Sequence, residues 1–281
     1  MITAKSYVGG PLFDPGFAFG NAVYGGDVTA PPTPEFSSAS TYGDYRVVFK
    51  GTFTVVGGDI TGGTVESYTI YAGATKVADA KGYAIDAAAL YDAFQTDDYN
   101  TMDDLLFDNA VKFTGSKMDD EIYGGDFADK LIGKDGNDWL SGSLGDDSLN
   151  GGKGNDALFG GEGFDVLKGG KGDDVFLFEF DSAMPTAGHD KIKDFKSGHD
   201  HIGLNDYADI LPSGYLAKAN FHVGTEAKTA DQVVIYDKKD GKIFYDADGS
   251  GAGEQFLLAT VKAGTKIHAD DFFVGGGLMM I

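Results

Sequence analysis

The 281-residue chain has no cysteine, which excludes disulfide bracing, thiol nucleophiles and cysteine-ligated zinc or iron. Basic residues are scarce: 22 Lys and Arg stand against 44 Asp and Glu, the net charge is -22, and Arg46 is the single arginine. That field repels phosphate backbones and anionic membrane surfaces, so neither nucleic acid nor a lipid surface is an expected partner. No run approaches the roughly 18 apolar residues of a spanning helix, so no transmembrane segment is expected. Met1 to Gly20 contains no basic stretch leading into an apolar core, so export by a cleaved amino-terminal leader is not expected either. Catalytic signatures are missing too. H-E-x-x-H does not occur, and the nearest string to G-x-S-x-G, Ser141-Gly142-Ser143-Leu144-Gly145, begins on Ser. A non-enzymatic protein is the reading, with the paired carboxylates of a glycosidase left open by so acidic a chain.

What the chain does contain is aspartate. All but seven of the 44 acids are Asp, and short carboxylates in such number suit a hard, oxygen-loving cation. They are also spaced. In steps of nine from Gly115 the chain gives GSKMDDEIY, GGDFADKLI, GKDGNDWLS, GSLGDDSLN, GGKGNDALF, GGEGFDVLK and GGKGDDVFL, seven units without a gap. Position 1 is always Gly, from Gly115 to Gly169. Position 6 is always Asp: Asp120, Asp129, Asp138, Asp147, Asp156, Asp165 and Asp174. Position 8 is always large and apolar: Ile122, Leu131, Leu140, Leu149, Leu158, Leu167 and Phe176.

A period of nine has a structural meaning. Three residues form a short strand with one inward side chain, six Gly-rich residues turn the corner, and two units complete one coil. Units n and n+2 then stack, placing Ile122, Leu140, Leu158 and Phe176 in one sheet and Leu131, Leu149 and Leu167 in the facing one. The expected fold is mainly β, a parallel β-roll. Strands stacked about 4.8 Å apart match oxygen-to-calcium distances of about 2.3–2.6 Å on either side of an ion held between two rungs. The pairs are Asp120/Asp138, Asp138/Asp156, Asp156/Asp174, Asp129/Asp147 and Asp147/Asp165, hence at most about five inter-rung sites. Further candidate oxygen donors are Asp135 and the loop carbonyls of Gly133, Gly142, Gly151, Gly154, Gly160, Gly163, Gly169 and Gly172. Glycine is expected at the turns for positive φ and for free approach of carbonyls to an ion.

This pattern resembles the G-G-x-G-x-D-x-U-x repeat of RTX proteins, and the resemblance implies a calcium-binding β-roll. Met118 and Phe127 replace the position-4 Gly in the first two units, which implies weak binding or a capping role there; Ser116, Lys134 and Ser143 at position 2 are milder changes. The likeness continues through Asp190 to Leu204 and Ile243 to Gly251. It reaches the Asp270-Asp271-Phe272-Phe273-Val274 ending, which resembles an uncleaved carboxy-terminal type I secretion signal. Type I export machinery is therefore an implied partner.

The expected organisation is an extended arm over 1–36, ending in Ala30-Pro31-Pro32-Thr33-Pro34, a small α+β module over 37–113, the roll over 114–180 and a β-rich carboxy-terminal flank over 181–281. In the module, strands are expected at 45–49, 52–56 and 64–71 with turns at Gly57-Gly58-Asp59 and Gly62-Gly63, and helices over 86–94 and 101–109, the second opened by Thr101 and Asp104. Asp246, Asp248, Ser250 and Gly251 match the opening of a calcium loop, but Leu257 stands where a helix-loop-helix site needs its bidentate Glu, which leaves Asp246 and Asp248 as candidate calcium ligands or as part of a plain Asx-rich hairpin turn. His199 and His201 alternate along a strand, where a solvated face is the simpler expectation than a shared metal. Taken together, the sequence implies a secreted calcium-binding protein that folds on meeting extracellular calcium. Its expected role is structural or adhesive, through self-assembly or contact with cell-surface polysaccharide, the alternative being a secreted hydrolase acting on polysaccharide.

Overall fold

The computed structural model describes residues 4–6, 35–39, 45–56, 59–72, 75–90, 110, 112–180, 189–206 and 211–275. Among them β1 (Ala4–Ser6), β2 (Glu35–Ala39), β3 (Tyr45–Val56), β4 (Asp59–Ala72), β5 (Thr75–Asp86) and β6 (Lys112–Thr114) precede the roll. The roll follows as β7 (Asp120–Tyr123), β8 (Lys130–Asp135), β9 (Trp139–Leu144), β10 (Ser148–Lys153), β11 (Ala157–Glu162), β12 (Val166–Lys171) and β13 (Val175–Phe180). Beyond it lie β14 (Asp190–Ile192), β15 (His201–Asp206), β16 (Gly214–Tyr215), β17 (Phe221–Val223), β18 (Val234–Asp237), β19 (Lys242–Tyr245), β20 (Phe256–Thr260) and β21 (Phe272–Val274).

Odd and even roll strands separate into two parallel sheets. One pairs Ile122 with Leu140, Leu140 with Leu158 and Leu158 with Phe176; the other pairs Leu131 with Leu149 and Leu149 with Leu167. The expected n to n+2 register is therefore the one observed. These seven side chains are 0–1% exposed. Single apolar rows face each other because the second inward position of each strand from β8 to β12 is the position-1 Gly of the next unit.

The roll is not isolated from its flanks. Phe113 of β6 pairs with Leu131, and β5 pairs with β6, so the antiparallel meander of β2 to β5 continues one roll sheet. At the other end Ile192 pairs with Leu167 and Ile202 with Phe176. β20 and β21 then add to β14 and β15, with Phe272 beside Ile202. The two apolar rows thus run on into the carboxy-terminal segment, where Phe272 is 0% exposed.

Two local expectations need correction. Residues 45–56 form one strand, with its register shifted at Lys50/Gly51, where two strands were expected. Gly62-Gly63 lies inside β4 and makes no turn: Gly63 takes φ +113, and a side chain there would meet the Thr52 carbonyl oxygen. Helix does begin at 87–90, where the Asp86 carboxylate accepts the Ala88 and Ala89 amides as a cap. The rest of the first expected helix, the whole of the second with its Thr101–Asp104 cap, and the Pro-rich end of the arm fall outside the described residues. Among the described residues no helix is long and apolar enough to cross a membrane.

Because Leu158 is fully buried between Leu140 and Phe176, Leu158→Ala is expected to cost about 2–5 kcal/mol. Lys168→Ala, on the exposed side of β12, is expected to stay within about 0.5 kcal/mol. Denaturant unfolding at saturating calcium measures both.

Candidate metal centre

Each position-6 Asp follows a Gly-rich turn and leads into a strand, so its backbone N–H faces the next rung of its sheet, two units on. The amide of Asp120 donates to Asp138 Oδ1 (2.9 Å), Asp138 to Asp156 (2.8 Å) and Asp156 to Asp174 (3.0 Å). On the other edge Asp129 donates to Asp147 (2.6 Å) and Asp147 to Asp165 (2.7 Å). Two ladders of side chain to backbone links therefore run the length of the roll, and their aspartates are at most 3% exposed.

The second carboxylate oxygen behaves differently along the ladder. In the first two turns it is occupied: the Ser116 amide donates to Asp120 Oδ2 (2.5 Å) and the Gly125 amide to Asp129 Oδ2 (2.7 Å). In Asp138, Asp147, Asp156, Asp165 and Asp174, Oδ2 is buried and has no hydrogen-bond partner among the described residues. A buried carboxylate oxygen without a donor is costly. Burial accordingly pushes the ion-free carboxyls of Asp138 and Asp147 up to about 8, Asp156 to about 7 and Asp174 to about 6, and raises Asp165. The neighbouring rung carboxylates push Asp138, Asp147, Asp156 and Asp174 in the same direction.

The glycines divide into two kinds. Position 1 is Gly for lack of space: a Cβ on Gly133 would stand 2.0 Å from Asp138 Oδ2 and 2.7 Å from the Gly151 carbonyl oxygen, and Gly142, Gly151, Gly160 and Gly169 press on their own aspartates in the same way. Positions 2 and 4 add a left-handed φ to the same lack of space: Gly154, Gly163 and Gly172 (φ +120 to +140) would each set a Cβ 1.9–2.1 Å from the carbonyl oxygen of the equivalent residue two units back. Lys134 and Ser143 occupy that left-handed region without being glycine (φ +98 and +80), a larger departure than the sequence suggests, at about 1–2 kcal/mol each. The Lys134 ammonium reaches the Gly115 carbonyl, and at the far end Lys196 Nζ donates to the Gly170 carbonyl (2.9 Å). Fixed cations thus stand at both ends of the roll.

Other expectations are redistributed. Asp135 is not in the ladder: it is exposed and paired with Lys153 Nζ (2.8 Å), which holds its carboxyl below the usual range. His199 and His201 are not brought together, since His199 Nδ1 contacts Asp173 (2.9 Å) and His201 lies beside the Tyr215 ring. Asp246 and Asp248 sit together in the β19–β20 loop, away from the roll.

Two features escaped the repeat pattern. Asp190 and Asp200 extend the ladders by one rung each, accepting the amides of Asp165 (3.1 Å) and Asp174 (3.2 Å); their Asp-x-Ile triplets are the signal, detached from the usual glycines. An outer ladder at position 5 links the Asn137 amide to Asp119, Asn155 to Asn137 and Asp173 to Asn155.

Among the described residues no three His, Cys, Asp or Glu side chains converge on one point. The metal supported here is accordingly one bound by few carboxylates and many carbonyls. Calcium fits: each of these rungs has one orphaned carboxylate oxygen, and at Asp138 and Asp147 it lies near the position-1 carbonyl two units on, that of Gly151 and Gly160, so the donors are all oxygen. Those residues would hold the ion, which would supply the missing partner.

Asp156 occupies the middle of its ladder with an orphaned oxygen, whereas both oxygens of Asp120 are engaged by Ser116. Asp156→Ala is therefore expected to raise the calcium midpoint for folding at least twice as much, in free energy, as Asp120→Ala, read by far-ultraviolet dichroism. The pH dependence has a definite sign. Carboxyls whose folded pKa is raised favour the ion-free roll below about pH 4 and lose that contribution as pH rises through about 6–8. In chelator, β-structure is expected to increase from pH 8 to pH 5. A decrease over that range would refute burial of these groups.

The family description RTX calcium-binding nonapeptide repeat (four copies) matches residues 114–149, 123–158 and 150–181. No curated protein matches the chain. Among solved structures the chain is similar to the solution structure of the AlgE6R3 subunit from the Azotobacter vinelandii mannuronan C5-epimerase. The identity is 26%, over 60% of this chain and 88% of that one, with a TM-score of 0.21. So low a score adds nothing to the fold, which rests on the strand register. The matched repeats, the n to n+2 register and the orphaned aspartate oxygens agree: residues 114–181 are RTX calcium-binding repeats folded as a β-roll.

Proposed function

We propose that the chain is exported unfolded and folds on meeting calcium outside the cell, as a non-enzymatic structural or adhesive protein. The observation that carries the reading is the set of buried, partnerless Oδ2 atoms on Asp138, Asp147, Asp156, Asp165 and Asp174, which suggests up to about five ions. Where calcium is scarce, stacked carboxylates oppose the roll. At calcium tenfold above a site's dissociation constant each ion contributes about 1.4 kcal/mol and five about 7 kcal/mol. That is comparable with the whole stability of a domain, about 5–15 kcal/mol. Export by a type I apparatus is compatible with the same switch. The Asp270 to Val274 segment buries Phe272 and Val274 when folded, so a receptor could read it only in the ion-free chain.

Support for association comes from an asymmetry between the two roll faces. Tyr123, Trp139, Phe159 and Val175 lie half-buried on the outer side of one sheet, while Lys130, Lys168 and Lys191 stand exposed on the other. Tyr215 and Phe273 continue the apolar face with an edge-on ring pair at 5.7 Å. The alternative, an enzyme acting on acidic polysaccharide, is favoured by one cleft of about 600 Å³ where Lys218, Lys238, Lys266 and His268 surround Phe221. Electron microscopy after refolding with calcium, magnesium or chelator separates the two. Ordered polymers in calcium alone are expected. A monodisperse monomer that cleaves a uronate polymer would replace this reading with the alternative.

A further inference from the structure

We propose that the loop joining β19 to β20 is a calcium site of its own, outside the repeats, built on the side chains of Asp246, Asp248 and Gln255. The hairpin register sets it up: Tyr245 pairs with Phe256, so Asp246 and Gln255 are the next positions, at the base of the loop. Asp246 is 6% exposed, and its Oδ1 is buried without a hydrogen-bond partner among the described residues. Gln255 Oε1 is in the same condition, while Nε2 of that amide donates to the Thr225 carbonyl (3.1 Å). Turning the amide over would set its oxygen against the Thr225 carbonyl oxygen, so the hydrogen bond to Thr225 fixes Oε1, an acceptor, as the orphan. Two buried acceptors with no donor between them call for a cation.

The rest of the loop packs on Asp248, the neighbour of Asp246. The Asp248 carboxyl lies within hydrogen-bond reach of the Asp246 carboxyl, a contact between like charges that needs either a shared proton or a bridging ion. Gly251 and Gly253 wrap Asp248 so closely that a Cβ would stand 2.0 and 2.8 Å from its oxygens, and the Gly253 amide donates to Oδ2 (3.0 Å). Gly249 takes φ +60 with the Thr229 and Ala230 carbonyl oxygens each 2.6 Å from where its Cβ would be, which brings the 229–230 backbone against the loop. All three side-chain donors are oxygen and two are carboxylates, the chemistry of a hard cation. The irregular surroundings suit calcium, with its six to eight ligands, better than octahedral magnesium. Because β20 pairs with β14 through Ala259 and Asp190, an ion here would fix the segment that closes the end of the ladder.

Native mass spectrometry of the full chain in calcium counts the ions. Asp248→Asn changes an exposed side chain and is expected to bind one ion fewer than the unaltered chain, with faster amide exchange confined to 225–256. Asp174→Asn is expected to lose its ion from the roll and keep that of the loop. Gln255→Glu supplies a third carboxylate and is expected to tighten the loop ion about tenfold; a residue serving only to pack would make that change unfavourable. An unchanged count in Asp248→Asn, or unchanged or weaker binding in Gln255→Glu, overturns the proposal. If the roll itself held no calcium, the single ion removed by Asp248→Asn would still be seen.

Discussion

The link from one aspartate's backbone N–H to the Oδ1 of the aspartate two units on is the interaction the roll depends on. It fixes the distance between rungs, holds the carboxylate in place and leaves its second oxygen pointing at nothing. A ladder that engaged both oxygens with backbone donors would need no metal to satisfy them, which is how Asp120 and Asp129 are held in the first two units. From Asp138 to Asp174 the second oxygen is withheld, so the apolar rows, which bury one side chain per rung, must work against the cost of the buried charges. A cation turns that cost into a bond, and folding becomes conditional on it.

The flanks make sense as terminations of this device. An open roll would end on unpaired strands and a half-finished ladder. The meander joins one sheet through Phe113, and Asp190 and Asp200 accept the last amides with strands whose inward residues are Ile192 and Ile202. Lys134 and Lys196 contribute ammonium groups to carbonyls at the two ends, cations that need no supply from solution.

Position 8 made the core legible in advance, because an invariant apolar residue at a fixed period admits one inward direction and hence one register. Position 6 likewise identified the ladder. Spacing could not tell why each glycine is there: at Gly133 a side chain would meet a carboxylate, at Gly154 it would meet the Gly136 carbonyl at a left-handed φ, and both look the same in a sequence. Asp135 shows the converse error. Acid in an acidic loop looked like a ligand, yet position 3 points outward and finds Lys153. Asp190 and Asp200 were hidden because a period of 18 gives way to offsets of 25 and 26 once the turns lengthen. Gly62-Gly63 resembled a turn because close approach between two long strands, Gly63 against the Thr52 carbonyl, calls for the same residue.

Amide hydrogen exchange at Asp120, Asp129, Asp138, Asp147 and Asp156, whose N–H groups donate along the ladder, tests the central claim most directly. These amides should exchange slowly in calcium and at near-unfolded rates in chelator or in magnesium, with protection rising together over one calcium transition. Equal protection with and without calcium would show that the ladder closes on its own, and would contradict the account.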